Sequence, residues 1–192
     1  MKVPDISDYK NNKDLIILAI AILAVDVTVL FLARYYPEFF AKDLNDWYDK
    51  FHLNAVISDV AIILIGFVIA RYVYTEYIGP KYGWNPLFFL GLLVIIQAIH
   101  DIFFYVAVIK PIPEKHNAMI DVFKGYAKNG GALVIVGDAL LMLGSAAAAF
   151  ALKSQPDHII SSFAILVAYT LPYILYTKPR WRVRFAADVK PV

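Results

Sequence analysis

The sequence predicts an all-α integral membrane bundle of five transmembrane helices, with one short helix lying in the interface on the cytoplasmic side. Two observations carry this. Hydrophobic residues make up 60% of the 192 residues and charged residues 18%, and the mean hydropathy is +0.62, whereas a soluble domain is about 45–50% apolar and about 25% charged. Five stretches are also each apolar over about 20 residues, the length of helix that crosses a bilayer core. The same balance excludes a disordered chain, which needs low hydrophobicity and high charge. With no cysteine there is no disulfide framework, thiolate metal site or cysteine nucleophile. A net charge of +2 is too small to argue for nucleic acid as a partner. The spans fill over half the chain and no internal repeat is visible, so residues 1–192 read as a single membrane domain.

The first span runs over 14–34. It is too long for the apolar region of a signal peptide, and Arg34-Tyr35-Tyr36-Pro37 is no small-residue cleavage site, so it reads as a retained anchor. Over 37–53, Phe40, Leu44, Trp47 and Phe51 recur at helical spacing, with Lys42, Asp43, Asp46, Asp49 and Lys50 off that stripe. This predicts a helix lying in the interface, with packing against the bundle as the alternative. The second span covers 54–75, and Tyr72, Tyr74, Tyr77, Tyr82 and Trp84 form an aromatic belt where it ends. Asn85 and Pro86 cap and start the third span, 86–109, which Lys110-Pro111-Ile112-Pro113 ends. A second short amphipathic helix is expected over 116–129, with Met119, Ile120, Phe123 and Ala127 on one side. Gly130-Gly131 separates it from the fourth span, 131–152, and Gln155-Pro156-Asp157 links that tightly to the fifth, 158–177. The tail, 178–192, interleaves Arg180, Arg182 and Arg184 with Trp181, Val183 and Phe185. Anionic lipid headgroups attract such cations at about 1 kcal/mol each, although a stop-transfer flank has the same composition.

Orientation follows from the cations. Lys2, Lys10, Lys13, Arg71, Lys81 and Lys153 share one side, six against twelve on the other. The positive-inside rule puts the twelve in the cytoplasm, so the C-terminus is inside and the N-terminus outside.

Four spans each carry one aspartate: Asp26, Asp59, Asp101 and Asp138. Acids at membrane depth cost about 2.5–3.5 kcal/mol and are functional candidates by default. At about 1.5 Å rise per residue, all four lie about 8–12 Å from the cytoplasmic ends of their helices, in one layer. A step of seven returns to nearly the same helix face. It joins Asp26 to Ala19 and Ala33, Asp59 to Gly66, and Asp138 to Gly131 and Ser145. Small residues mark packed faces, so these acids are expected to converge. Asp101 is the exception, reaching Val94 and Val108, although Gln97 and His100 share its side.

No Lys or Arg lies inside a span core, and His100 is the one internal basic group. Repulsion and burial both favour protonation of some of the acids, or a bound cation in their place. Carboxylate, imidazole and amide ligands without sulfur suit a hard or borderline metal, with Asp59, His100, Asp101 and Asp138 as its ligands. Proton relay through Asp26, Asp59, His100, Asp101 and Asp138 is an alternative, since clustered acids titrate together. Neutral aspartates that simply hydrogen-bond across helices are a third. Gln97, Ser58, Ser145 and Tyr169 are candidates to support the acids by hydrogen bonds, although span hydroxyls commonly bond their own helix carbonyls. No metalloprotease, phosphate-loop, nucleophile-elbow or zinc-finger spacing is present. His52, His116 and His158 fall in loops or at span edges.

The passage Gln97-Ala98-Ile99-His100-Asp101-Ile102-Phe103-Phe104-Tyr105 and the run from Asn117 through Gly137-Asp138-Ala139 resemble multi-span membrane proteins of giant DNA viruses of algae and protists. That resemblance implies a viral or host internal membrane and carries no activity. Tyr36-Pro37-Glu38-Phe39 and Trp47-Tyr48 look like the first loop of the sterol-isomerase and sigma-2 receptor type of bundle, where acids on membrane helices bind cationic amphiphiles; the later spans do not follow that pattern.

Three functions are therefore expected of the chain. The first is an intramembrane acidic cluster that binds or passes a cation, whether proton or metal. The second is a structural or scaffolding membrane protein. The third is a membrane enzyme or receptor for a lipid-like ligand. So small a bundle also invites homo-oligomerisation, with Gly144 and Ala148 as its small-residue face.

Overall fold

The structure is a computed structural model that describes residues 3–37 and 42–179. Arg180, Arg182 and Arg184, and Phe40 of the predicted amphipathic stripe, lie outside the described residues. The described residues form helices and connections, with no strand among them.

Local chemistry sets most helix ends. The Asn11 side chain accepts the Lys13 N–H at 3.2 Å and opens α1, Asn12–Tyr35, by the usual capping of orphan donors. Helix α2, Lys42–Phe51, gives way to α3, Leu53–Val73, at the single residue His52. That residue adopts φ +49° and its ring stacks on Tyr176 at 5.4 Å. Helix α3 does not stop near Thr75 as expected. It continues through a π-helical turn, Tyr74–Ile78, into α4, Gly79–Tyr82, making one apolar rod of 30 residues. The buried Tyr74 hydroxyl holds this extension: it donates to the Gly83 carbonyl at 2.9 Å and accepts the Asn85 N–H at 2.7 Å. Gly83 then ends the rod at φ +66°, a conformation glycine adopts without steric cost.

Asn85 accepts the Leu87 and Phe88 N–H groups and starts α5, Pro86–Phe104, as its sequence predicts. A second π-helical turn, Tyr105–Ile109, completes that rod. Asn117 caps α6, Ala118–Gly130, in the same way, and Gly131 at φ +51° joins it to α7, Ala132–Lys153. Helix α8, Asp157–Leu175, is last. Five of these rods, starting at Asn12, Leu53, Pro86, Ala132 and Asp157, are long and apolar enough to cross a membrane.

Helix α1 is the centre of the bundle and packs on α3, α7 and α8, while α5 packs on α3 and α7. The closest fit is α1 on α7, where Leu18, Ala21 and Ile22 meet Met142, Ala146 and Ala149, all fully buried. Small side chains permit that approach. Gly144 belongs to this fit, since a Cβ there would sit 3.5 Å from Val25. Gly144 and Ala148 stay half-buried beside α1.

Buried ions knot both ends. At one end Asp14 pairs with Lys153 at 2.7 Å and with Arg71 at 3.9 Å. Arg71 also donates to the carbonyls of Asn11, at 2.8 Å, and Asp8. Thr75 and Trp84 donate to the carbonyls of Ser7 and Val3, at 2.8 and 3.0 Å, so the N-terminal segment lies across this end of the bundle. At the other end Arg34 reaches Asn45 and Asp49 of α2 and the Leu175 carbonyl.

That second knot corrects one expectation. The stripe of α2 does not face outward into an interface. Trp47 and Tyr48 are buried, and α2 packs on α1, α3 and α6. The reason is polar as well as apolar: Asn45, Trp47 and Tyr48 each bond a group of the bundle, and those bonds require the helix to turn inward.

Candidate functional site

Helices α2, α3, α5, α6 and α7 enclose a cavity of 810 Å³. Asp59, Asp101 and Asp138 lie on its wall, with His100, Gln97 and Ser58 beside them. Three of the four acids thus share one wall, and the fourth does not.

Asp26 is buried behind the wall. The Tyr48 hydroxyl donates to its Oδ1 at 2.7 Å, and its Oδ2 has no hydrogen-bond partner among the described residues. Asp59 accepts the Trp47 indole N–H on Oδ2 at 3.0 Å. Asp101 accepts the Gln97 amide on Oδ1 at 2.7 Å, and the same oxygen lies 3.2 Å from His100 Nδ1. Its Oδ2 is buried with no hydrogen-bond partner among the described residues. Asp138 stands on α7 on the cavity wall. Burial pushes the Tyr48 hydroxyl well above the ordinary phenol range, and the nearby charges of Asp26 and Asp59 push it further. Tyr48 therefore keeps its proton and acts as a donor across the pH range in which proteins work.

Beside these acids Gly66 of α3 makes room for Met142 of α7. A Cβ there would run into the Met142 methyl and come within 3.8 Å of the Gln97 amide oxygen. The step of seven from Asp59 to Gly66 thus does mark a packed face.

Two expected supporting residues are elsewhere. Tyr169 is exposed and accepts the Tyr173 hydroxyl at 3.2 Å. It faces away because α8 buries Ile160, Val167, Leu171 and Leu175, and Tyr169 is not on that stripe. Ser145 is buried in the bundle interior with its hydroxyl unpartnered, and it is not on the cavity wall. The Thr28 hydroxyl bonds its own helix at the Ala24 carbonyl, 2.7 Å away. Among the described residues no three His, Asp or Glu side chains form a group able to hold a metal ion.

The sequence reading missed the roof of the cavity. Phe123 of α6 packs on Trp47 at 4.8 Å and on Phe104 at 6.1 Å, and Phe104 stacks on His100 at 5.6 Å. The apolar side predicted for the short helix, Met119, Ile120, Phe123 and Ala127, lines the cavity as a set. The periodicity was visible in the sequence; its occupant was not, because an amphipathic stripe has the same spacing whether it covers lipid, protein or a cavity.

Compared with protein-family models, curated proteins and solved structures, the chain matches none.

Proposed function

We propose that this chain is a multi-pass membrane protein that binds a lipid-like amphiphile with a cationic head. The observation that carries the reading is the composition of the cavity wall. Among the described residues, three carboxyl groups and one imidazole stand on it, no Lys or Arg does, and Ile62, Ile63, Phe104 and Phe123 supply apolar surface. Ligand cavities run from about 300 to 1,000 Å³ and combine apolar walls with a few convergent polar groups, and a volume of 810 Å³ fits that range. The unpartnered Asp101 Oδ2 suits an ammonium, because a buried acceptor left without a donor costs about 1–3 kcal/mol.

In reconstituted liposomes, dodecylammonium should bind in preference to dodecyl sulfate and dodecanol. Asp59→Asn and Asp101→Asn should each weaken dodecylammonium binding about 10- to 100-fold, the worth of a charge-assisted hydrogen bond. Equal binding of all three head types would reject charge recognition. A proton or small-cation flux abolished by Asp59→Asn, without any amphiphile preference, would favour passage of the bare ion through the same acids. The position of Asp26 behind Tyr48 makes that the second reading.

The excess of Lys and Arg on the side of α2 and α6 supports a cytoplasmic position for that side. The chain has no cysteine, so single cysteines report sidedness cleanly. A membrane-impermeant maleimide applied to intact cells should label Gln155→Cys and spare Lys128→Cys, and the reverse pattern would invert the topology.

A further inference from the structure

We propose that the cavity is loaded sideways, by an amphiphile already dissolved in the bilayer, through the slot between the second half of α5 and the start of α7, under α6. This rests on the ligand-binding reading above and adds the route and the phase from which the ligand comes.

The first observation is the uneven exposure of the cavity wall. On the α2 and α3 side the wall residues Trp47, Tyr48 and Ile63 are buried. On the α5 side Ile102 and Tyr105 are 56% and 44% exposed while also lining the cavity. Gly131 and Ala132, at the joint of α6 and α7, are likewise both exposed and on the wall. Wall residues this open mark the side on which the rest of the bundle covers the cavity least.

The second observation is the chemistry around that side, the proposed mouth. Ile99, Phe103 and Val106 on the α5 rod and Leu133, Val136 and Leu140 on α7 are exposed, and all are apolar. Both helices belong to rods long and apolar enough to cross a membrane. Asp101 lies eight residues before Ile109 and Asp138 six after Ala132, so the acids stand about 9–12 Å inside the ends of their rods. A mouth at that depth, ringed by apolar side chains, faces acyl chains and not water. A cationic amphiphile held there keeps its tail in the slot while its head meets the acids.

The third observation is local backbone. The α5 rod widens into its π-helical turn at Tyr105–Ile109, where it borders the mouth; such turns recur at functional sites. On the opposite lip Gly131 at φ +51° turns the chain from α6 into α7, so the roof leaves α7 at an angle that an L side chain would strain.

The test plugs the mouth after folding, so that no variant has to fold around an obstruction. Ile102→Cys and Ala132→Cys proteins are reconstituted in liposomes and labelled with a bulky maleimide. Ile165→Cys, on an exposed face of α8, serves as the control. Dodecylammonium is then delivered from the bilayer and its binding rate followed. Labels at Ile102→Cys and Ala132→Cys should each slow binding about tenfold or more, and the label at Ile165→Cys should leave it unchanged, since obstruction acts on rates. If both plugs leave the rate within about twofold while Asp59→Asn still weakens binding about 10- to 100-fold, the ligand arrives by another route and the inference fails alone. If the unlabelled wild-type protein binds no dodecylammonium, the ligand-binding reading fails and takes this inference with it.

Discussion

Arg34→Ala is expected to destabilise the protein by about 3–5 kcal/mol, the cost of removing one partner from a buried ion pair. Arg34 is 0% exposed and binds three groups on two other helices at once. It donates to Asn45 Oδ1 at 2.7 Å, pairs with Asp49 at 2.8 Å, and donates to the Leu175 carbonyl at 3.1 Å. The last bond satisfies a carbonyl at the C-terminus of α8, where a cation is also favoured by the helix dipole. Alanine removes the Arg34 ties from α1 to α2 and α8 and leaves Asp49 without its buried cation. A loss of that size is a large part of the roughly 5–15 kcal/mol that separates folded from unfolded in ordinary domains. Arg34→Lys should recover only part of it, because one ammonium cannot reproduce the fork geometry of the guanidinium. Equilibrium unfolding in mixed micelles checks both, and a change below about 1 kcal/mol for alanine would show the knot to be dispensable.

Trp47→Ala is expected to cost about 3–5 kcal/mol as well, by a different route: loss of a large buried aromatic and the void it leaves. The ring packs on Phe51 at 4.9 Å and on Phe123 at 4.8 Å, so its removal unroofs the cavity on the α6 side. Its N–H is also the donor to Asp59. Trp47→Phe separates the two effects. It keeps most of the packing and removes the donor, and should cost about 1–3 kcal/mol, the penalty of a buried acceptor left unpaired. Unfolding of the two variants side by side reads the difference. Equal losses would mean that packing has no share of its own.

The two variants also mark what a linear reading can and cannot reach. Trp47 was recognised as part of an amphipathic stripe, and Asp59 as an intramembrane acid, each from local pattern. That the indole donates to that carboxyl was not legible, because twelve residues and the turn at His52 separate them and the rotation of α2 about its axis is not written in its periodicity. Arg34 was read as the close of a span. Its partners in α2 and α8 lie 11 and 141 residues away. Tyr169 shows the converse: helical rise predicts its level along α8, yet its azimuth is set by which face of α8 meets α1, and it is exposed.

By itself the amino-acid sequence determined the five apolar rods, the asparagine cap at Asn85, the glycine joint before α7, and the presence of an aspartate inside each of four rods. Each of these depends on composition, on helical rise or on a bond between near neighbours. Only the tertiary structure decided that α2 and α6 turn inward to wall a cavity, that Asp26 stands behind Tyr48 while Asp59, Asp101 and Asp138 face the cavity, and that Gly144 lies beside Val25 of α1. Those outcomes depend on how each helix is rotated against its neighbours, and rotation is chosen by the sum of many weak contacts between segments far apart in the chain, each within the error of any local rule.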